Sequence, residues 1–208
     1  MQRAFNLISA ATGLVILAPL FAIISIAIKI EDGGQVLYSQ LRVGRGFRKF
    51  RLYKFRSMAP HRADPISLTR SGDRRITKVG KFLRRHKLDE LPQLMNILRG
   101  DMQLVGARPE VERYVEAFRE QYAVILRDRP GITDPASLAY RHEDRVLGDG
   151  DDSDIERLYS SCILPRKLQL SLDYSEHRTL FSDLGIIART VLGGGARARS
   201  SQNSGKCA

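Results

Sequence analysis

The chain contains no tryptophan and only two cysteines, Cys162 and Cys207, far apart and without His or Cys companions at metal-ligand spacing. That scarcity argues against a disulfide framework or a zinc site and fits a reducing compartment. Its four histidines, His61, His86, His142 and His177, show neither triad order nor ligand spacing, so each reads as an ordinary surface or satisfied side chain. Internal repeats are absent. Two further absences are local. From Ala4 to Ile28 there is no charged residue, and from Arg42 to Lys87 only two acids, Asp64 and Asp73, stand against 16 Lys+Arg.

What is present is basic. Net charge is +11 over 208 residues, and of the 34 Lys+Arg only Arg3 precedes Lys29. Such a balance implies nucleic acid, an anionic membrane surface or phosphorylated substrates as partners, without choosing among them. The length allows one ordinary domain plus an accessory segment.

The charge-free stretch supplies that segment. As one straight helix its 25 residues would run roughly 37 Å, more than the roughly 30 Å of a bilayer's hydrocarbon core. It is too long for a signal-peptide core, no small-residue cleavage site follows, and no polar face exists to meet water. Membrane insertion is expected, over residues 1–30. Pro19, near the middle, removes a helix hydrogen bond and crowds the preceding turn. A kink there would turn the segment back, leaving both ends on one face; a kinked spanning helix is the rival reading. The basic body beyond it belongs on the cytoplasmic side.

In the body, residues 31–192, Val36–Gln40 and Phe50–Arg56 read as strands joined through Gly44-Arg45-Gly46, a β-hairpin. Lys54 and Arg56 would share one face of the second strand, as a phosphate clamp or as charges guarding a solvated edge. Residues 61–75 read as a loop. Ile76, Val79 and Leu83 mark a helix with a basic outer face, and Leu91 to Leu98 mark another that ends at Gly100. Pro109 opens a longer amphipathic helix running to Ile125, and Pro130-Gly131 breaks it. Residues 132–154 read as loop, with a solvated acidic cluster at Asp149, Asp151, Asp152 and Asp154. From Ile155 to Leu192 the chain is again helical, interrupted at Pro165, and its last apolar stripe (Leu180, Phe181, Leu184, Ile187, Ala188, Val191) suits a core or an interfacial helix. Residues 193–208 are expected to be a disordered tail. The expected class is α+β, predominantly helical, with amphipathic helices at the membrane interface.

The centre of interest is Leu88-Asp89-Glu90-Leu91-Pro92-Gln93-Leu94, two carboxylates directly after the most basic stretch. Asp89 suits the N-cap of the helix that follows, with Pro92 tolerated in its first turn. The alternative is chemical. Against a nucleotide diphosphate, a carboxylate can attack phosphorus if a divalent metal and arginines suppress charge repulsion. Arg84 and Arg108 flank the pair in sequence, and arginine reads phosphate bidentately.

Six ordered motifs then resemble those of the bacterial sugar transferases, the small monotopic polyprenol-phosphate phosphoglycosyl transferases. They are Lys54-Phe55-Arg56-Ser57-Met58, Gly80-Lys81-Phe82-Leu83-Arg84, Leu88–Leu94 with Asn96, Gly100-Asp101-Met102, Gly106-Ala107-Arg108-Pro109 and Pro130-Gly131-Ile132-Thr133, so that the resemblance covers residues 1–192. It implies transfer of a sugar-1-phosphate from a UDP-sugar to undecaprenyl phosphate with release of UMP, at the bacterial inner membrane with the catalytic domain facing the cytoplasm. The family's nucleophile falls on Asp89 and its partner carboxylate on Glu90, with Mg²⁺ between these acids and phosphate. Its basic substrate-binding residues fall on Lys54, Arg84 and Arg108, and Arg56 joins them as the clamp partner of Lys54. The family's re-entrant helix breaks at Ser-Pro, here Ala18-Pro19; its Pro-Arg-Pro is here Ala107-Arg108-Pro109; and the Gly-Trp that often follows Pro-Gly-Ile-Thr is here Asp134-Pro135. The competing reading is a membrane-tethered basic module that binds anionic lipid or nucleic acid. Leu88–Pro92 opposes it, because a polyanion binder gains nothing from two acids in its basic face, and no nucleic-acid partner is expected. A homodimer is left open.

Overall fold

The computed structural model describes residues 2–59, 73–141 and 152–192. Most of the expected 61–75 loop, Asp149 and Asp151 of the acidic cluster, and the expected 193–208 tail lie outside these residues.

Helix α1 (Gln2–Asp32) is assigned without a break through Pro19. At 1.5 Å per residue its contour is about 46 Å long, and both of its ends are fastened to the body. At its start, Arg3 donates to the Ile97 carbonyl (3.1 Å) and Asn6 Oδ1 accepts from the Leu104 N–H (2.8 Å). At its end, Glu31 accepts from the N–H groups of Lys78 (2.7 Å) and Val79 (3.2 Å), and Asp32 pairs with Arg56. Between these anchors Ala10 packs with Leu52, Leu94, Ile97 and Met102, and Ile24 and Ile28 pack with Phe55 and Leu83. The opposite face exposes Ile8, Val15, Ile16, Ile23, Ile26 and Ile30. A helix with one face on protein and the other apolar and uncovered is built for lipid.

The hairpin forms as expected: β1 (Leu37–Val43) pairs antiparallel with β2 (Lys49–Phe55), Tyr38 opposite Lys54. Helix α2 (Lys78–Arg85) is capped by Thr77, whose hydroxyl accepts from the Gly80 N–H at 2.9 Å. Helix α3 (Gln93–Arg99) ends at Gly100, φ 91°, the left-handed conformation that favours glycine at a helix end. The sequence showed no sign of the next two strands. β3 (Gln103–Val105) and β4 (Gly131–Thr133) form a parallel pair of three residues each, too short for any alternation to register. Gly106 and Gly131 let their backbones meet, since a Cβ on Gly131 would strike the Gly106 main chain and one on Gly106 would crowd the Arg129 carbonyl.

The single helix expected from Pro109 is two, α4 (Glu112–Ala117) and α5 (Arg119–Ile125), broken at Phe118. The expected 132–154 loop contains α6 (Pro135–Ala139), capped by Asp134, and its end begins α7 (Asp152–Leu158). A π-turn (Tyr159–Ile163) leads into α8 (Leu164–His177), so the interruption expected at Pro165 falls just before it, with Pro165 in a first turn that needs no N–H. Helix α9 (Leu180–Val191) carries a Thr179–Ser182 capping box. Its apolar stripe does not face a core: Leu180, Phe181, Leu184 and Val191 are exposed, while Asp183 and Ile186 are buried. Asp183 is held there by Arg178, by the Tyr174 hydroxyl and by Gln2 of α1 (3.0 Å).

Candidate active site

A single buried asparagine positions the first cation. Asn96 Nδ2 donates to the Arg51 carbonyl at 2.7 Å and its Oδ1 accepts from the Tyr53 N–H at 3.1 Å, so α3 takes the free edge of β2. The next residue, Lys54, thereby reaches a 3₁₀ turn over Leu88–Glu90, with its Nζ 2.9 Å from Glu90 Oε1. The turn is entered through Lys87 at φ 57°, a left-handed conformation costly for a lysine. Arg108 closes the other side, its Nη2 2.6 Å from Glu90 Oε1 and its Nη1 3.3 Å from Oε2.

Electrostatics follow from this packing. Burial alone raises the Glu90 carboxyl, but Arg108 and Lys54 outweigh it and hold the group well below the usual glutamate range. Burial is also the leading influence on Lys54 and draws its ammonium down, against the attraction of Glu90.

Asp89 is different. Its side chain is buried, and Oδ1 has no hydrogen-bond partner. The expected N-cap role is overturned, because Pro92 occupies that position and no side chain caps α3. The first N–H groups of the helix are instead satisfied by main chain: Leu94 donates to the Leu91 carbonyl (3.1 Å) and Met95 to that of Pro92 (3.0 Å). Leaving a buried polar atom unpaired costs about 1–3 kcal/mol, more for a charge. An orphan of this kind points to a strained or reactive group rather than to a structural one.

Of the four basic residues expected at the site, Lys54 and Arg108 meet on Glu90. Arg84 faces Met58, with Nη1 3.9 Å from its Sδ. Arg56 turns to Asp32 at the end of α1, since β2 ends at Phe55 and strand alternation no longer aims it with Lys54.

The sequence missed the brace behind Arg108. Glu110 is buried; its Oε2 lies 2.9 Å from Arg42 Nη1, and its Oε1 accepts from the Tyr159 hydroxyl at 2.9 Å. Arg42 also donates to the Pro109 carbonyl, and Lys167 approaches Tyr159. The turn bearing Arg108 is thus tied to β1 on one side and the π-turn on the other. An acid two residues after an active-site arginine was the available signal, but its partners lie far away in sequence. Asp134 is fully buried, capping α6 through the Ser137 N–H and accepting from Ser171.

The donor chemistry at the acid pair fits Mg²⁺. The unpaired Asp89 Oδ1 is a hard oxygen donor, and Mg²⁺ is commonly held by one or two carboxylates plus substrate phosphates. Glu90 would share oxygens already in contact with Lys54 and Arg108. Among the described residues no group of three or more His, Cys, Asp or Glu forms a metal cage, so the remaining ligands would come from substrate and water.

Fold and site together define a protein whose apolar N-terminal helix lies along a body presenting an acid pair gripped by lysine and arginine. The sequence profile described as Bacterial sugar transferase matches residues 1–194, and the chain belongs to that family. It is 34% identical over 195 residues to the UDP-N-acetylgalactosamine-undecaprenyl-phosphate N-acetylgalactosaminephosphotransferase of Aeromonas hydrophila, covering 92% of this chain and 43% of that protein. It is 35% identical over 194 residues to the UDP-glucose:undecaprenyl-phosphate glucose-1-phosphate transferase of Caulobacter vibrioides, covering 91% and 68%. Against the Exopolysaccharide production protein ExoY of Rhizobium meliloti it is 32% identical over 206 residues, covering 91% and 83%. The chain therefore spans less than half of the first of these relatives and most of the other two.

Proposed function

We propose that this chain transfers a sugar-1-phosphate from a UDP-sugar to undecaprenyl phosphate through a covalent aspartyl intermediate, the first membrane step of a glycoconjugate or exopolysaccharide. The observation that carries the chemistry is the buried, unpaired Oδ1 of Asp89 beside a Glu90 already neutralised by Lys54 and Arg108. An Asp89 oxygen attacks the sugar-proximal phosphorus; the bond to the bridging oxygen breaks, and UMP leaves with the electron pair. An oxygen of undecaprenyl phosphate then attacks the same phosphorus, and Asp89 departs as the free carboxylate. Glu90 keeps Lys54 and Arg108 poised at the phosphates, where Arg108 can redirect donors onto developing charge. Mg²⁺, held by Asp89, Glu90 and the diphosphate, would supply the charge neutralisation that lets a carboxylate approach phosphate. The relatives' names support the two substrate classes and differ in sugar, so no sugar is assigned.

The membrane reading is supported by the anchoring of α1 to the body at both ends. A helix that crossed the bilayer would carry one end roughly 30 Å from the body, so a re-entrant placement is favoured, at the inner membrane with the body in the cytoplasm. The exposed stripe of α9, tied to the start of α1 through Gln2 and Asp183, extends the apolar face along the interface. Modification from the periplasm of a cysteine placed at position 2 in intact cells would establish a spanning helix instead. The chemistry is tested by UMP release from a panel of UDP-sugars with undecaprenyl phosphate in lipid, with and without chelator. A basic binding module would release no UMP, and its affinity would fall steeply with salt while surviving loss of both acids.

A further inference from the structure

Away from the acid pair, three arginines converge where α1 begins. Arg3, Arg45 and Arg129 line a cavity of about 180 Å³ together with Asp128 and the side chains of Gln2 and Asn6, far more than the roughly 10–15 Å³ that holds one water. None of the three guanidinium groups is ion-paired among the described residues, whereas Arg42, Arg56, Arg108 and Arg178 each have a carboxylate. The acid on the cavity wall, Asp128, is itself directed to Arg178 at 3.9 Å, with 70% of its side chain exposed.

Part of this arrangement has a structural explanation. Arg3 donates to the Ile97 carbonyl and Arg129 Nε to the Gly100 carbonyl at 2.7 Å, so both close the C-terminal end of α3, where cations are favoured. That leaves most of their N–H donors without a protein partner among the described residues, and it does not account for Arg45, whose exposed side chain makes no hydrogen bond or ion pair among the described residues. Three like charges gathered around one hollow repel each other unless an anion sits among them. The forked guanidinium matches the oxygens of phosphate.

Position narrows the source of that phosphate. Phe5 and Ile8, one and a half turns or less from Arg3, already belong to the exposed apolar face of α1. The cavity therefore lies at the level where α1 passes from polar to apolar surroundings, the depth of lipid phosphates. We propose that Arg3, Arg45 and Arg129 form a phosphate-anion site at the membrane surface, separate from the catalytic acid pair, which receives the phosphate of an anionic lipid headgroup. It rests on the membrane part of the functional reading and not on its chemistry.

The test uses the full chain in a neutral detergent, without sugar nucleotide or undecaprenyl phosphate, so that a failed enzyme reading leaves it intact. Thermal unfolding is followed against dihexanoyl phosphatidic acid, dihexanoyl phosphatidylcholine and inorganic phosphate. A ligand bound only by the folded state raises the midpoint saturably. The site predicts such a rise with phosphatidic acid and none with phosphatidylcholine. Arg45→Ala, at an exposed position, should raise the half-saturating concentration about tenfold or more, the worth of one charge-assisted contact, and Arg129→Lys should raise it too by removing the fork. A saturable, Arg45-dependent rise with inorganic phosphate at similar concentrations would support the anion site while assigning it a soluble ligand. A phosphatidic acid effect untouched by both substitutions, or matched by phosphatidylcholine, would overturn the proposal.

Discussion

Two buried aspartates in this protein are treated in opposite ways. Asp183, in α9, is saturated: Arg178 Nε and Nη2 both donate to its carboxylate, Gln2 adds a bond at 3.0 Å, and the Tyr174 hydroxyl closes on Oδ1. Asp89 is as deeply buried, yet its Oδ1 has no partner. A satisfied buried carboxylate secures a joint, here between the start of α1, the end of α8 and α9. An unsatisfied one costs stability and persists where it does chemistry.

That contrast can be broken most forcefully at Asp89. Asp89→Asn should lower turnover by on the order of 10⁴-fold or more, while the unfolding free energy stays within about 1 kcal/mol of the parent, because no cap or bond is lost. Steady-state rates and thermal melts on the same preparation measure both. Asp183→Asn should do the reverse. Breaking one partner of a buried pair costs about 3–5 kcal/mol, so the melting temperature should drop sharply, while turnover per folded molecule at low temperature changes by less than about twofold. A large activity loss without destabilisation at Asp183 would collapse the distinction.

The brace behind Arg108 gives a smaller effect. Tyr159→Phe deletes the hydroxyl bonded to Glu110, and hydrogen bonds to charged groups contribute about 1.5–3 kcal/mol. Because Glu110 keeps Arg42, the expected outcome is the lower end of that range in stability, with a several-fold fall in kcat from a less firmly placed Arg108, read by the same two assays. The smallest effect is the pH dependence contributed by Glu90. Its folded carboxyl is held below the ordinary value of 4.5, so its contribution is fully present above that pH and is lost as pH falls through the lower folded value. In Arg108→Gln, which removes the stronger of the two lowering influences, the folded value moves up toward the unfolded one, so less stability should be lost to this group on acidification than in the parent, as followed by melting temperature between pH 3 and 7.

The sequence disclosed the parts of this structure whose signals are local. The charge-free segment, the hairpin, the glycine at the end of α3 and the acid pair each lie within a few adjacent residues. What it could not disclose depends on distant partners. Whether Asp89 caps a helix or stands unpaired turns on the main-chain bonds of Leu94 and Met95. Arg56 is drawn from Lys54 by Asp32, which belongs to the membrane helix. The parallel pair β3–β4 is too short to show periodicity, and its existence depends on two glycines whose backbones meet. The apolar stripe of α9 has the same pattern whether it is covered or not; only the burial of Asp183 and Ile186 on the other side shows that it is uncovered.

In the proposed reaction Asp89 is unpaired because it is the nucleophile. Intact-mass measurement after incubating the full chain with UDP-sugar and Mg²⁺, without undecaprenyl phosphate, tests it most directly. An added sugar-phosphate mass is expected on the parent, absent in Asp89→Asn and discharged when undecaprenyl phosphate is supplied. Full transfer activity with no adduct at any time, and sequential rather than ping-pong kinetics, would mean direct transfer between the two substrates and contradict the role given to Asp89.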